Sequence, residues 1–170
     1  MDLLISFRWG RFYPTRREVI RILKGMGDEH PQVDWTSVDG IAIAHTTLDN
    51  RAVIANCRQL FENGQEKFED AVKWVPVDNW CQTDLDAIKQ LIEQEVVPRI
   101  QPTERWAMKV HKRRWQRYHT AEIVEYLAPS IERKVDLSNP DKTVWVDIIG
   151  PSTAVSILES GDIFSAVLEH

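Results

Sequence analysis

The residues best suited to chemistry in this sequence are concentrated in one basic stretch, residues 105–119. Six of these fifteen residues are Arg or Lys and none is acidic, whereas the remaining chain carries 15 basic and 26 acidic side chains and the net charge is −5. His111 and Trp115 lie between the cations, and Tyr118 and His119 follow the last one. Arg and Lys bind phosphate, and aromatic rings stack on bases. The stretch therefore predicts phosphate or nucleic-acid binding, with a solvated charged face as the alternative.

The position of this stretch along the chain supports the binding interpretation. A predicted strand (105–111) leads into a helix with a predicted N-cap at Thr120, and the free N–H groups of a helix start favour anions. For Trp115, stacking on a base and packing in the core both remain open. The candidate residues for binding phosphate or nucleic acid are Lys109, His111, Lys112, Arg113, Arg114, Trp115, Arg117, His119 and Thr120.

Signals for catalysis are weak. The sequence has no Gly-rich phosphate loop, no nucleophile elbow and no closely spaced pair of histidines. Cys57 falls on the apolar side of a predicted helix, where a free Cys behaves as a small hydrophobic residue, and Cys81 falls in a predicted loop. We therefore expect no catalytic site, metal or cofactor, and keep sulfur transfer through either cysteine as an alternative.

Strand-like and helix-like patterns of apolar residues alternate along the first half of the chain. Asp39-Gly40 between two strand-like runs predicts a hairpin with Gly40 at positive φ. Pro76 has no N–H, which places its strand at a sheet edge. The predicted elements are a strand (3–9), a helix with N-cap Thr15, strands 33–38 and 41–47, a helix (49–62) and a strand (71–77). This order is βαββαβ, the ferredoxin-like arrangement. The role of Arg11, Arg16, Arg17 and Arg21 in the first helix is left open.

The second half predicts a smaller α/β domain. A turn-like segment (77–84) precedes a helix capped by Thr83, and the basic strand and its helix follow. A strand, a helix and another strand in succession predict a parallel crossover. The expected domains are residues 1–80 and 81–167, with 168–170 as a tag remnant. No run of 18 apolar residues occurs, and a cytoplasmic location is expected.

Several segments resemble the THUMP domain, a module of tRNA-modifying proteins. They are "MKVHKRR", "HTAEIVEYLA", "KVDLSNPDKTVWVDIIG" and "TAVSIL". The upstream "TSVDGIAIAHTTLDN" and "VKWVPVDNW" are similar to the ferredoxin-like domain that precedes THUMP. The matching basic positions are Lys109, Lys112, Arg113, Arg114 and Arg117. Asn139, Pro140 and Asp141 match a turn of the family, which we interpret as structural.

The resemblance is nearest to the stand-alone THUMP subfamily, which includes the adaptor of a tRNA cytidine acetyltransferase. It implies a non-catalytic protein that binds the acceptor end of tRNA, with a tRNA acetyltransferase or another modification enzyme as its partner. Two alternatives stay open: a sulfur-transfer subunit using Cys81 or Cys57, and a protein-interaction module whose basic face meets an acidic partner.

Overall fold

The first half of the chain forms the predicted order of strands and helices. In the computed structural model, which describes residues 1–167, these are β1 (Asp2–Ser6), α1 (Phe12–Gly25), β2 (Gln32–Trp35), β3 (Ile41–His45), α2 (Asn50–Glu62) and β4 (Lys73–Val77). The strands lie in the order β4-β1-β3-β2, and all neighbours are antiparallel. The predicted βαββαβ order is confirmed.

The core of this sheet follows from the alternation of side chains along its strands. Leu3 and Ile5 of β1 and Trp74 of β4 are fully buried in one cluster with Leu23 of α1 and Ile54 of α2. Successive residues of a strand point to opposite faces, so Leu3 and Ile5 share the face that the helices cover. Burial of each large apolar side chain stabilises the fold by about 1.5–3 kcal/mol.

The two helices differ in how closely their starts match the prediction. The first begins at Phe12, before the predicted cap Thr15, with Arg11 as N-cap. Thr15 instead lies inside the helix, where its hydroxyl donates to the Arg11 carbonyl at 2.6 Å. A Thr hydroxyl can satisfy a carbonyl one turn back as readily as it can cap a helix, which explains the wrong prediction. The second helix starts as predicted, because Asp49 accepts a hydrogen bond from the Ala52 N–H at 2.9 Å.

The hairpin between β2 and β3 is confirmed, but its loop is longer than a two-residue turn. Trp35 pairs with Ala42, and the loop between them is closed by hydrogen bonds from the Thr36 hydroxyl. Gly40 has a φ of +95°, as predicted, and a Cβ there would lie 3.2 Å from the Phe7 carbonyl oxygen. Both the φ and the close backbone require glycine.

One buried carboxylate joins α1 to the sheet. Asp28, 1% exposed, accepts hydrogen bonds from the Thr46 hydroxyl at 2.6 Å and from the N–H groups of His30 and Thr47 at 3.1 and 3.2 Å. Burial acts to raise the pKa of Asp28, but these hydrogen bonds together outweigh it and hold the pKa below its ordinary value.

The following residues build a second sheet. Its elements are β5 (Asn79–Gln82), α3 (Leu85–Leu91), β6 (Arg105–Arg113), α4 (Thr120–Leu127), β7 (Lys134–Val135), β8 (Lys142–Ile149) and β9 (Ser152–Leu158). A π-helical turn (Ile92–Val96) and a 3-10 turn (Val97–Arg99) follow α3 directly. The strand order is β5-β9-β8-β6-β7, and β6 runs parallel to β7 and β8. The predicted parallel crossover is therefore confirmed.

The start of this second unit differs from the prediction in two respects. Cys81 lies in β5, opposite Thr153 of β9, and not in a loop. The N-cap of α3 is Asp84, which accepts from the Ala87 N–H at 3.0 Å, while the Thr83 hydroxyl bonds that of Thr153 at 2.8 Å. Both differences arise because pairing with the distant β9 draws the predicted turn into the sheet.

The last strand, β10 (Phe164–Ser165), returns to the first sheet. It pairs with Trp74 and Lys73 of β4, so β4 is not an edge strand along its whole length, contrary to the prediction. Pro76 lies two residues beyond this pairing. A strand of two residues has no periodicity from which the sequence could predict it.

The return of the chain also changes the domain boundaries. One unit is Met1–Val77 together with the described residues from Gly161 onward, and the other is Asp78–Ser160. The predicted boundary after residue 80 lies three residues late, and the predicted second domain extended too far. The predicted tag remnant, 168–170, lies outside the described residues. Of the helices in residues 1–167, none has the length and apolar character needed to span a membrane.

Candidate nucleic-acid interface

The nine candidate residues form one continuous strand, loop and helix start in the second unit. Those from Lys109 to Arg113 lie on β6, those from Arg114 to Arg117 lie in the connecting loop, and His119 and Thr120 begin α4. Without Thr120, this region is called segment 109–119 below. The side chains of segment 109–119 do not all face the same way. Some of its cations have partners within the protein, and others face solvent.

Alternation along β6 separates the strand residues. Met108 and Val110 pack against the core that contains Ile123 of α4, so Lys109 and His111 lie on the opposite face of the sheet. Lys109 is exposed, whereas His111 is half-buried with its ring 4.5 Å from that of Trp145. His111 thus packs within the sheet face, and Lys109 extends into solvent.

Two of the predicted phosphate-binding cations have partners within the protein. Arg113 forms a salt bridge of 3.1 Å with Asp147, a carboxylate that is 7% exposed on the neighbouring β8. Lys112 donates from Nζ to the Trp115 carbonyl at 3.2 Å and so holds the loop after β6. Arg113 and Lys112 are therefore engaged within the protein, and their role in binding stays a prediction.

Two cations in the loop are exposed. Arg114 and Arg117 form no salt bridge with any residue between 1 and 167. The backbone of Arg114 has a φ of +58°, in the left-handed region that disfavours residues with a Cβ. Strain of this kind is tolerated where the surrounding structure imposes it, and it occurs often at functional sites.

The aromatic residues of the loop are partly in the core. Trp115 and Tyr118 are half-buried against the core of the second unit, with their ring centroids 5.5 Å apart in an edge arrangement. The Arg117 guanidinium lies 5.5 Å from the centre of the Tyr118 ring. Trp115 therefore contributes to packing, and only part of its ring is available to a ligand.

The start of α4 departs from the sequence prediction. The N-cap is His119 and not Thr120, and the His119 N–H donates to the Glu122 carboxylate at 3.0 Å. Glu122 places a negative charge in the first turn of the helix. This carboxylate offsets the positive helix end that we expected to attract phosphate.

A cleft lies beside the loop and contains residues that sequence reasoning missed. Its volume is about 340 Å³, and its lining includes Asp84 and Asp86 at the start of α3, Trp115 and Tyr118 of the loop, and Tyr126 of α4. The Tyr126 hydroxyl donates to Asp86, and this hydrogen bond raises the pKa of Tyr126. The cleft combines aromatic surface with carboxylate acceptors, which are groups suited to a nucleobase and its amino group.

The carboxylates of the cleft carry no sequence signal of their own. Asp84 and Asp86 are acidic residues at a helix start, which the sequence explains by capping and by the helix dipole. Only the packing of α3 beside α4 brings them to the basic loop.

The cysteines show little sign of reactivity. Cys57 is fully buried, and burial raises its thiol pKa to about 12. Burial and then the Asp84 carboxylate raise the pKa of Cys81. A thiolate is the reactive form, so both environments disfavour nucleophilic sulfur. Within residues 1–167, no group of three His, Cys, Asp or Glu side chains could hold a metal ion.

The arginines at the N-cap of α1 and within it also include paired and exposed side chains. Arg11 pairs with Asp70 at 3.1 Å, and Arg21 pairs with Glu66 through its second guanidinium nitrogen at 3.1 Å. Arg16 and Arg17 are exposed.

Comparison with known proteins shows the fold. No family model and no curated protein matches the sequence. The crystal structure of PH1313 from Pyrococcus horikoshii Ot3 matches 96% of this chain with a TM-score of 0.66 and 12% identity. The crystal structure of a 4-thiouridine synthetase–RNA complex with bound ATP matches 96% with a TM-score of 0.57 and 14% identity. At these identities the likeness shows a shared α/β fold, and the predicted fold class is confirmed.

These neighbours are longer proteins. The chain spans 55% of the PH1313 chain and 41% of the synthetase chain. The solution structure of the THUMP domain of THUMP domain-containing protein 1 matches 43% of this chain, and this chain covers 82% of that domain, at 26% identity. Its TM-score is 0.39, which is too low to show a shared fold.

Proposed function

We propose that this chain is a THUMP-type tRNA-binding protein without catalysis of its own, which presents the acceptor end of tRNA to a modification enzyme. The observation that carries the proposal is the pair of exposed cations Arg114 and Arg117, which have no acidic partner in residues 1–167 of a protein with a net charge of −5. On an acidic body, exposed cations without acidic partners form a local site at which a polyanion can bind.

The arrangement offers two kinds of contact to RNA. Lys109, Arg114 and Arg117 are exposed and can neutralise phosphates. The neighbouring cleft, with Trp115 and Asp86 in its lining, has the aromatic surface and the hydrogen-bond acceptors to hold an unstacked base. Unstacked bases occur at single-stranded ends, which favours the acceptor end of tRNA over its stems.

Support for tRNA comes from the sequence, and support for RNA in general comes from the fold. The sequence resembles the THUMP domain, and the fold is shared with a 4-thiouridine synthetase whose structure contains RNA. The partner implied by the resemblance is a tRNA cytidine acetyltransferase or another modification enzyme. The proposed location is the cytoplasm, where free thiols such as Cys57 and Cys81 stay reduced.

The alternative of sulfur transfer is less well supported. It would require a thiolate at Cys81 or Cys57, and the pKa of both thiols is raised. A protein-interaction module would use the same exposed cations against an acidic partner, so a binding experiment must separate the two.

The test is direct binding by the full chain. An intact tRNA should bind more tightly than the same tRNA without its single-stranded 3′ end, and an acidic protein of matched charge should not compete. Equal affinity for both tRNAs would contradict binding at the acceptor end. Competition by the acidic protein would favour the interaction module.

A second experiment separates the adaptor from an enzyme. The chain alone should leave tRNA unmodified with acetyl-CoA, S-adenosylmethionine or ATP, and it should stimulate a cytidine acetyltransferase added to the same reaction. Turnover by the chain alone that disappears in Cys81→Ser would contradict the adaptor proposal.

A further inference from the structure

Three large aromatic side chains of the first unit are exposed. Trp9, Tyr13 and Trp35 are 81%, 69% and 77% exposed. Single exposed apolar residues are common, but a group of this size marks a contact surface. Together with Phe12, these residues are called the aromatic platform below.

The platform is anchored in the core of the first unit. The Phe12 ring lies 6.1 Å from that of buried Phe7, and it lies 5.4 Å from Tyr13 and 6.2 Å from Trp35. The Trp9 ring lies against the hairpin loop, next to Gly40. Phe12 therefore supports Tyr13 and Trp35 from the core side while the outer parts of both rings remain in solvent, which lowers the ordering that binding requires at these two rings.

Positive charge accompanies the platform. Residues 8–17, "RWGRFYPTRR", contain four Arg and no acidic residue. Of these, Arg8, Arg16 and Arg17 are exposed and form no salt bridge within residues 1–167. The spacing of a helix places Arg16 and Arg17 one turn after Phe12 and Tyr13.

Acidic residues are few at this surface. The first turn of α1 contains no acidic residue, which leaves the positive end of the helix uncompensated. One exposed carboxylate, Asp39, accepts from the Gly10 N–H at 3.5 Å, and Asp70 is paired with Arg11. The surface thus combines stacking rings with unpaired cations in an otherwise acidic protein.

We propose that the aromatic platform is a second RNA-binding surface, which takes a single-stranded segment by stacking bases on Trp9, Tyr13 and Trp35 while Arg8, Arg16 and Arg17 contact phosphates. Rings interleaved with cations are the general means of binding single strands without sequence preference. Charge complementarity favours RNA over an apolar protein partner, which would leave three guanidinium groups without counter-charges. The proposal relies on the proposed function only for the source of the RNA.

The experiment measures binding of the full chain to a labelled single-stranded oligoadenylate of roughly 12 nucleotides by fluorescence anisotropy. Trp35→Ala should weaken binding by roughly 5- to 150-fold, because each stacked base contributes that much. Trp35→Phe should retain most of the affinity, whereas Trp35→Leu, which keeps apolar area without a ring, should not. Leu137→Ala, at a side chain 79% exposed in the second unit, is the matched control and should have no effect.

The arginines provide an independent readout. Arg16→Gln with Arg17→Gln should lower the slope of log affinity against log salt by about 0.7 for each phosphate that the protein no longer neutralises. A melting curve for each variant verifies that it is folded. If Trp9→Ala unfolds the chain, the Trp35 and Arg variants still decide the question.

The outcomes separate this proposal from the proposed function. Weaker binding in the platform variants supports the platform, whether or not Arg114 and Arg117 also contribute. Unchanged oligoadenylate affinity in Trp35→Ala and in the double Arg variant overturns the platform, while loss of tRNA binding in an Arg114 and Arg117 variant would leave the proposed function intact. Equal affinity of Trp35→Leu and wild type also overturns base stacking on Trp35.

Discussion

Removing the two exposed loop cations should change the salt dependence of tRNA binding by a calculable amount. Arg114→Gln with Arg117→Gln removes two charges that form no salt bridge in the described chain. Each phosphate left without its cation lowers the salt slope by about 0.7 to 0.9, so the slope of the double variant should fall by about 1.4 to 1.8. The gap in affinity between wild type and variant should therefore widen by about 25- to 60-fold for each tenfold decrease in salt.

The same variant should leave stability nearly unchanged. Neither Arg114 nor Arg117 is buried, and surface substitutions of this kind stay within about 0.5 kcal/mol. Arg113→Gln is the contrasting variant, because it removes a salt-bridge partner of the buried Asp147 carboxylate. It should cost about 0.5–1.5 kcal/mol of unfolding free energy and change the salt slope little.

The assay is filter binding or anisotropy with full-length tRNA at four or more salt concentrations, with a denaturation curve for each variant. A slope equal to that of wild type in the double variant would show that Arg114 and Arg117 are only a solvated face. A decrease in slope in Arg113→Gln as large as in the double variant would show that the salt bridge to Asp147 opens on binding, and our division of the cations would then be wrong.

Further predictions concern the fold and the thiols. Gly40→Val should lower the unfolding free energy by about 1–3 kcal/mol, measured by chemical denaturation, because a β-branched residue is strained at a φ of +95° and its Cβ would crowd the Phe7 carbonyl; unchanged stability would contradict this. The pKa of Asp28 is lowered in the folded state, so ionised Asp28 stabilises the fold. Its contribution to the free energy of unfolding is complete above the ordinary carboxyl pKa and is lost as pH falls through the lower pKa of the folded state. Asp28→Asn should accordingly lower the free energy of unfolding by about 1.5–3 kcal/mol at pH 7. The melting temperature of this variant should fall less steeply at acidic pH than that of wild type, and an equally steep fall would refute the role of Asp28. Cys57, with a pKa of about 12, should resist alkylation at pH 8 until the protein unfolds, and rapid labelling of native protein would disprove its burial.

The parts of the fold that the sequence predicts correctly are those with local signals. Helical spacing in α1 and α2, alternation in β1 and the glycine at position 40 each act within a few residues. The strands β5 and β10 are different, because pairing with distant partners decides whether they form. No periodicity in two to four residues reveals such pairing.

The candidate site shows the same division. Composition alone locates segment 109–119, because an acid-free run is visible without a structure. Which cations are exposed depends on the register of β6 and β8, which brings Arg113 to Asp147. The cleft depends on helix packing, which brings Asp86 near Trp115. The function of these residues stays a prediction.

The return of β10 to the first sheet has a consequence for synthesis on the ribosome. Phe164 packs 4.7 Å from Phe68 in the core of the first unit, so residues 1–77 lack part of their core until residues 161–167 have been translated. At about 5–20 residues per second, translating the intervening segment takes roughly 4–17 s. During that interval the edge of β4 is uncovered at Trp74 and Lys73, where a strand from another nascent chain could pair. The second unit, residues 78–160, is contiguous in sequence and can fold first. The first unit, although it is synthesised earlier, can complete its core only afterwards.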